Sequence, residues 1–320
     1  MLIKELELKE FRGIKALKEP IRFSRFNILI GRNNSGKSSI LDALFLIPRS
    51  IIPEPYRDYA KSRGDFLSQY YGDVKFLIHG YSGKAEVKYV LVNNEELRVE
   101  VFDDGRIIDY APQEKGVLDY LKKAFRENVE NISILFKNES KLQRILTEWM
   151  FNKWDRIVKS GLNVDIVKNI VNPCIDEEFT ELLIYKDDLR VRKEINEKVL
   201  YVRLRDLGSG IYGTIILAII LGLLKPNLVL IDDFDVAKHP TLIEALLKWF
   251  DKGDWQIVIS THSLDVLYGV LEASPKDFQL IQLRKTHDDI LHYRILTFDE
   301  LEDLIESNVD PRKLVDIIKI

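Results

Sequence analysis

Cysteine is almost missing from this chain: Cys174 is the single one in 320 residues. One thiol closes no intramolecular disulfide, so a disulfide framework is excluded and a reducing interior is expected. An excess of positive charge is also lacking. The 47 Lys+Arg against 51 Asp+Glu leave a net charge of −4, so the chain as a whole is not a basic nucleic-acid binder, and any such contact falls to a local patch. Long apolar runs are lacking too. The most apolar stretch, residues 211–224, falls short of the about 20 residues a membrane-crossing helix needs and reads as a buried core helix. Lys4, Glu5 and Glu7 interrupt any apolar leader, so neither a signal peptide nor a membrane partner is expected and the location expected is cytoplasmic. Glutamine is scarce while Lys and Glu are plentiful, a lean toward a thermophile. What remains is ordinary for a soluble globular protein, at 46% hydrophobic and 31% charged residues, and the length suits one large domain or two small ones.

Along the chain, residues 2–9 alternate apolar and charged and read as a half-exposed strand. Residues 20–30 read as a second strand, 31–36 as a glycine-bounded loop and 38–46 as a helix closed by Pro48. Residues 49–72 are mixed and loop-like. Alternation over 74–79, 85–92 and 96–102, with turn residues between, predicts an antiparallel meander. Segments 114–128 and 139–171 carry apolar residues at helical spacing and predict a helical insert. Alternation returns over 181–203. Residues 228–231 and 256–259 are short, apolar and flanked by helices, as buried parallel strands are. Residues 278–283 and 290–296 predict a hairpin, and 298–307 and 311–319 two short amphipathic helices.

The chemistry concentrates in four places. Gly31-Arg32-Asn33-Asn34-Ser35-Gly36-Lys37-Ser38 matches the phosphate-binding pattern G-x-x-x-x-G-K-[ST] between a strand and a helix. The glycines let backbone N–H groups and the helix N-terminus close on phosphate. Lys37 reaches the β- and γ-phosphates and the Ser38 hydroxyl suits Mg²⁺. Asp232 and Asp233 end the apolar run 228–231, which makes Asp232 a candidate Mg²⁺ ligand and Asp233 a candidate to orient the attacking water. Ser260-Thr261-His262-Ser263 ends another buried strand, with His262 a candidate γ-phosphate contact. Gly208-Ser209-Gly210 precedes the apolar helix, a further anion site at a helix start.

The order of these four motifs resembles the head of an ABC-class ATPase. It resembles most the branch that holds RecF, the chromosome-maintenance ATPases and the overcoming-lysogenisation-defect proteins. Phe11-Arg12-Gly13-Ile14 is similar to that branch's opening F-R-G/S-I/F segment, residues 31–39 to its G-x-N-N-S-G-K-S-S loop, and His239-Pro240 to its L-H-P segment. The resemblance implies an α/β P-loop fold of ABC-head type, with a mixed sheet flanked by helices, an antiparallel β lobe and a helical insert. The expected division is 1–110 as the first half of the head, 111–197 as the insert or arm-like subdomain, and 198–320 as the second half.

It further implies an ATPase that turns ATP and water into ADP and phosphate, with ATP and Mg²⁺ bound. Gly31, Asn33, Asn34, Ser35, Gly36, Lys37, Ser38 and Ser39 would line the nucleotide, with Arg12 approaching it. Ser38 and Asp232 would hold the metal; Asp233 would stand where most members carry the catalytic glutamate, with Lys37 and His262, the switch histidine, beside it. Ser209 and Gly210 would be the signature segment that touches the γ-phosphate of a second protomer, so an ATP-dependent homodimer is expected, acting as a conformational switch in DNA repair or defence against foreign DNA. The glutamine-loop candidate is Gln69. The sequence departs from the family pattern where Asp233 is one methylene shorter than glutamate, where Ile211-Tyr212-Gly213 follows the signature, and where Phe234 replaces a proline. Lysogenisation-type proteins carry a toprim nuclease after the head; about 35 residues follow Lys285, so any nuclease is expected on a separate chain. The rival readings are a non-hydrolysing ATP sensor that regulates such an effector, a transporter ATPase subunit, and a hexameric AAA+ motor. His287-Asp288-Asp289 reads as a turn, Cys174 as an unpaired thiol, Trp149 and Trp154 as packing residues. The basic stretch 190–205 reads as a solvated face, with DNA backbone contact the sharper alternative.

Overall fold

A computed structural model describes residues 1–48, 52–110, 132–186 and 188–317. In chain order the strands and helices are β1 (Ile3–Phe11), β2 (Ile14–Leu17), β3 (Ile21–Arg22), β4 (Phe26–Gly31), α1 (Lys37–Phe45), α2 (Arg63–Tyr71), β5 (Lys84–Leu91), β6 (Glu96–Phe102), β7 (Ile107–Tyr110), β8 (Ser133–Phe136), α3 (Ser140–Asn152), α4 (Trp154–Ser160) and α5 (Leu162–Ile166). There follow β9 (Glu181–Tyr185), β10 (Asp188–Ile195), β11 (Lys198–Arg203), α6 (Ser209–Leu224), β12 (Leu228–Ile231), α7 (Pro240–Asp251), β13 (Gln256–Ser260), α8 (Leu264–Ala273), β14 (Phe278–Lys285), β15 (Ile290–Leu296) and α9 (Phe298–Glu306).

One long sheet runs β7-β6-β5-β1-β2-β15-β14-β4-β13-β12-β8, with β3 attached to β1. Its second half, β14-β4-β13-β12-β8, is parallel throughout. Those central strands are buried on both faces, which is why Leu228–Ile231 and Ile257–Ile259 read as unbroken apolar runs. The first half is an antiparallel lobe in which β5 and β6 alternate buried and less buried positions. A separate sheet, β11-β10-β9, packs through β9 on α5, which with α3 and α4 packs on α6. Helix α6 is apolar all round because it packs against α3, α4 and α5 as well as the core.

Several expectations change. Residues 74–79 are not a strand. They form two short 3-10 turns, Val74–Leu77 and His79–Tyr81, because Asp73 accepts the Lys75 N–H and Gly80 takes a left-handed backbone. The loop-like stretch 49–72 holds α2, capped by Ser62, whose hydroxyl accepts the Asp65 N–H. Residues 133–136, read within the insert, form β8, the last strand of the main sheet, paired in parallel with β12. Residues 114–128 lie outside the described residues. Residues 313–317 form a 3-10 turn rather than the expected helix over 311–319. The hairpin β14–β15 stands as expected, and its turn holds Thr286–Asp289.

Three cations of the basic stretch are ion-paired: Arg192 with Glu194, Lys193 with Glu177, and Arg203 with Asp206. Trp149 is buried and Trp154 half-buried against the core. Cys174 donates to the Ile170 carbonyl at 2.9 Å.

Candidate functional site

The parallel strands aim their C-terminal ends at one crevice, where ligands of open α/β sheets bind. The loop after β4, the acids after β12 and the polar cluster after β13 therefore meet although they lie far apart in sequence. A cavity of about 320 Å³ is lined by Arg12, Gly13, Asn33, Asn34, Ser35, Gly36, Lys37, Ser38, Ser39, Asp233 and His262.

Two glycines shape the loop. A Cβ on Gly31 would lie 2.4 Å from Ser35 Oγ and 2.6 Å from the Leu283 carbonyl oxygen. Gly36 sits at φ +96°, which side chains avoid, and starts α1. The Lys37 Nζ folds back onto the loop, donating to the carbonyls of Gly31 at 3.1 Å and Arg32 at 3.2 Å. It is buried and, among the described residues, makes no ion pair within 4.0 Å. Burial lowers its pKa below the ordinary lysine range, while Asp233, Asp232 and Asp235 pull it back up. The Ser35 hydroxyl is buried without a hydrogen-bond partner. A desolvated ammonium, an unpartnered hydroxyl and the open start of a helix fit a polyphosphate.

The acids are set by hydroxyls. Asp232 Oδ1 accepts from Ser260 Oγ at 2.6 Å and from Ser38 Oγ at 3.2 Å. No group of three or more His, Cys, Asp or Glu side chains able to hold an ion occurs among the described residues. A metal here would rest on Ser38, Asp232 and phosphate oxygens, the sparse hard-oxygen set that suits Mg²⁺. Asp233 lies in the left-handed region at φ 51° and donates its N–H to Ser260 Oγ at 2.9 Å. Burial and then Asp232 raise its pKa, against His262 and Lys37. Burial and Lys37 lower the pKa of His262, against the three neighbouring aspartates. Asp235 accepts from the Thr261 hydroxyl and from the His262 N–H, and Arg312 donates to the His262 carbonyl at 2.8 Å, so the histidine's backbone is held from both sides.

Ser209 and Gly210 do not line this cavity. They face a second one of about 300 Å³, bordered by Phe136, Lys137, Asp232, Asp233 and Ala237. Asp233 borders both. Gly210 is pressed onto the acidic loop, and a Cβ there would lie 1.9 Å from the Ala237 carbonyl oxygen. Gln69 lines neither cavity; it is exposed and donates to Asp65 at 3.0 Å. His239 caps α7 by accepting the Thr241 N–H, with Pro240 in the first turn.

Sequence reasoning missed a buried polar group behind the acids. Asp42, fully buried on α1, is ion-paired with Arg12 and lies 2.9 Å from Lys137 Nζ; Tyr71 Oη donates to it at 2.7 Å. The Arg12 guanidinium also stacks on the Tyr71 ring at 4.0 Å. Burial alone would depress the pKa of Lys137, but Asp42, Tyr71 and Asp232 outweigh it and keep the amine protonated. Burial and Asp42 raise the Tyr71 pKa. One signal was available: Asp42 is a lone acid inside the apolar run Ile40-Leu41-Asp42-Ala43-Leu44, and a buried charge requires a partner.

Residues 1–203 match the model of a family described as the AAA ATPase domain. The DNA double-strand break repair Rad50 ATPase of Thermococcus kodakarensis is 26% identical over 209 residues, covering 62% of this chain and 20% of that protein. This chain thus spans about a fifth of that relative. An uncharacterized protein of Methanocaldococcus jannaschii, MJECL11, is 25% identical over 108 residues, 32% of this chain and 94% of the other. Among solved structures, the Smc head bound to the C-winged helix domain of ScpA superposes with a TM-score of 0.62 at 17% identity, covering 93% of this chain and 99% of that one. The SMC head domain from Thermotoga maritima gives 0.54 at 17% identity, covering 93% and 100%. The fold is that of an SMC head domain, a mixed sheet flanked by helices.

Proposed function

Because this chain belongs to the AAA ATPase domain family, we propose that it binds Mg-ATP in the cavity around Lys37 and hydrolyses it, and that two copies close on the nucleotide as a conformational switch. The observation that carries the reading is the convergence of Lys37, Ser38, Asp232, Asp233 and His262 at the ends of three adjacent parallel strands. Lys37 and the amides of residues 33–38 receive the phosphates, and Arg12 faces them from the β1–β2 turn. Ser38 and Asp232 would hold magnesium, whose charge would neutralise the phosphate oxygens. Asp233 accepts the proton of the attacking water, and neutral His262 donates toward the γ-phosphate. Exclusion of Ser209 and Gly210 from the P-loop cavity of their own chain supports the homodimer, because a second chain is then needed to bring a signature segment to the γ-phosphate.

The setting we propose is DNA repair or maintenance, or defence against foreign DNA, within the RecF, chromosome-maintenance and lysogenisation-type branch. It is supported by the opening Phe11-Arg12-Gly13-Ile14 segment and by the likeness to a Rad50 ATPase. A separate nuclease or other effector chain, and DNA, are the partners this setting implies. One observation favours a second reading, a slow or non-hydrolysing ATP sensor: the short Asp233 side chain starts from a backbone pinned to Ser260. Light scattering with and without Mg-ATP, paired with phosphate release, tests both. A shift from monomer to dimer with phosphate released supports the switch. A shift without turnover supports the sensor, and bound ATP with unchanged mass overturns the homodimer.

A further inference from the structure

Lys137 follows β8, and its Nζ is almost wholly buried among three groups: Asp42 at 2.9 Å, the Tyr71 hydroxyl at 2.8 Å and Asp232 Oδ2 at 3.5 Å. The two oxygens of Asp232 therefore do different work. Oδ1 faces the Ser38 and Ser260 hydroxyls, and Oδ2 faces the Lys137 ammonium. A carboxylate gripped at one oxygen by a fixed cation cannot turn freely, so its other oxygen stays aimed at Ser38. The same ammonium touches Asp42, which is also held by Arg12 and Tyr71. The chain Asp232–Lys137–Asp42–Arg12 joins the end of β12 to the Arg12 side of the P-loop cavity through alternating acidic and basic side chains.

We propose that Lys137 is a positioning residue for the metal site, a resident counter-cation that fixes the Asp232 carboxylate from behind and ties it, through Asp42, to Arg12. This rests on the reading of Ser38 and Asp232 as the magnesium-holding pair. Removal of outer-shell partners of metal ligands typically weakens metal affinity about 10- to 100-fold, and Lys137 stands in that relation to Asp232.

The test is a Mg²⁺ titration of fluorescent ATP-analogue binding to the full chain, with thermal melting measured on the same samples. Lys137→Met is expected to raise the Mg²⁺ midpoint at least about tenfold, while Mg²⁺-free binding through Lys37 changes far less. Lys137→Arg, which keeps the cation, is expected to recover most of the wild-type midpoint. The double variant Lys137→Met with Asp42→Asn removes the carboxylate that most needs the cation. It is expected to regain melting temperature but not the Mg²⁺ midpoint, and it carries the test if Lys137→Met alone does not fold. Recovery of both quantities in the double variant overturns the proposal, because Lys137 would then only neutralise Asp42. So does a folded Lys137→Met with an unchanged midpoint. Wild-type binding that ignores Mg²⁺, with Asp232→Asn equally indifferent, overturns the magnesium reading itself and the proposal with it.

Discussion

Replacing Gln256 by leucine is expected to cost about 3 kcal/mol of folding stability. Gln256 opens β13, the strand that ends at Ser260 and leads to His262, and its side chain is fully buried. Its Oε1 accepts the N–H groups of Leu2 at 3.0 Å and Ile3 at 2.9 Å, and its Nε2 donates to the carbonyls of Ile3 at 2.8 Å and Ser24 at 2.9 Å. One amide thus fastens the first strand of the antiparallel lobe to the parallel core, although β1 and β13 are not neighbours in the sheet. Leucine removes all four bonds. The Ser24 carbonyl keeps the Asn27 Nδ2 donor at 2.8 Å, so three bonds are lost without replacement. At about 1 kcal/mol net for each, the loss is about 3 kcal/mol, and more where a buried N–H finds no water. Equilibrium urea unfolding followed by tryptophan fluorescence measures it, with Trp255 adjacent to the change. The midpoint should fall with the slope unchanged, since the surface exposed on unfolding is nearly the same. Gln256→Glu keeps the acceptor but buries a charge, so its deficit should shrink as pH falls and the carboxyl becomes a donor. A Gln256→Leu chain within about 1 kcal/mol of wild type would refute the clamp.

If Lys37 receives the phosphates as proposed, Lys37→Ala should abolish binding of a fluorescent ATP analogue while leaving the far-ultraviolet circular dichroism intact, because among the described residues the buried ammonium makes no internal ion pair. Asp233→Asn should lower phosphate release about 100-fold or more with ATP still bound, read by single-turnover hydrolysis. The same variant tests linkage. Burial and Asp232 raise the folded pKa of Asp233 above its unfolded value, so stability falls as pH rises through that interval and the cost is fully present above it. Asp233→Asn should therefore melt higher than wild type at pH 8, and at the same temperature at a pH below the unfolded pKa. Gly210→Ala places a methyl against a backbone oxygen that cannot swing aside, the Ala237 carbonyl. It should abolish an ATP-dependent mass shift in light scattering and leave monomer binding of ATP within a few-fold of wild type.

The parts of the site that sequence reading located are those written contiguously. Residues 26–38, 228–233 and 256–262 each carry an apolar strand and its polar end in one stretch, and strand ends of a parallel sheet converge by topology alone. Lys137 was hidden because β8 is only four residues long, and a short apolar run does not distinguish strand from helix. Its meaning also depends on Asp42 and Tyr71, which come from two helices, and no local pattern joins the three. Alternation over 74–79 misled for the opposite reason: the pattern is present, but the turn chemistry of Asp73 and Gly80 prevails. Helix α2 went unread because Gly64, Ser68 and two tyrosines dilute its apolar face, and tertiary burial of Phe66 and Leu67 stabilises it instead.

The departure at Phe234 bears on how the short Asp233 side chain is presented. A proline at this position has no N–H to give. Phe234 uses its own, donating to the Ser260 carbonyl at 3.0 Å, while its ring is fully buried and packs at 6.0 Å from that of Phe250. Asp233 on one side is bound by its N–H to Ser260 Oγ, and Asp235 on the other takes the Thr261 hydroxyl. Three successive residues of the acidic loop are therefore fastened to the end of β13, the segment that bears His262. The left-handed backbone at Asp233 costs conformational free energy, and those attachments supply the restraint that keeps it. The loop then meets the start of α6 through Ala237 and Gly210, where only a glycine fits. The acidic loop, the segment bearing His262 and the start of α6 thus form one tied unit, in which the Phe234 N–H adds a backbone bond to β13 that a proline could not.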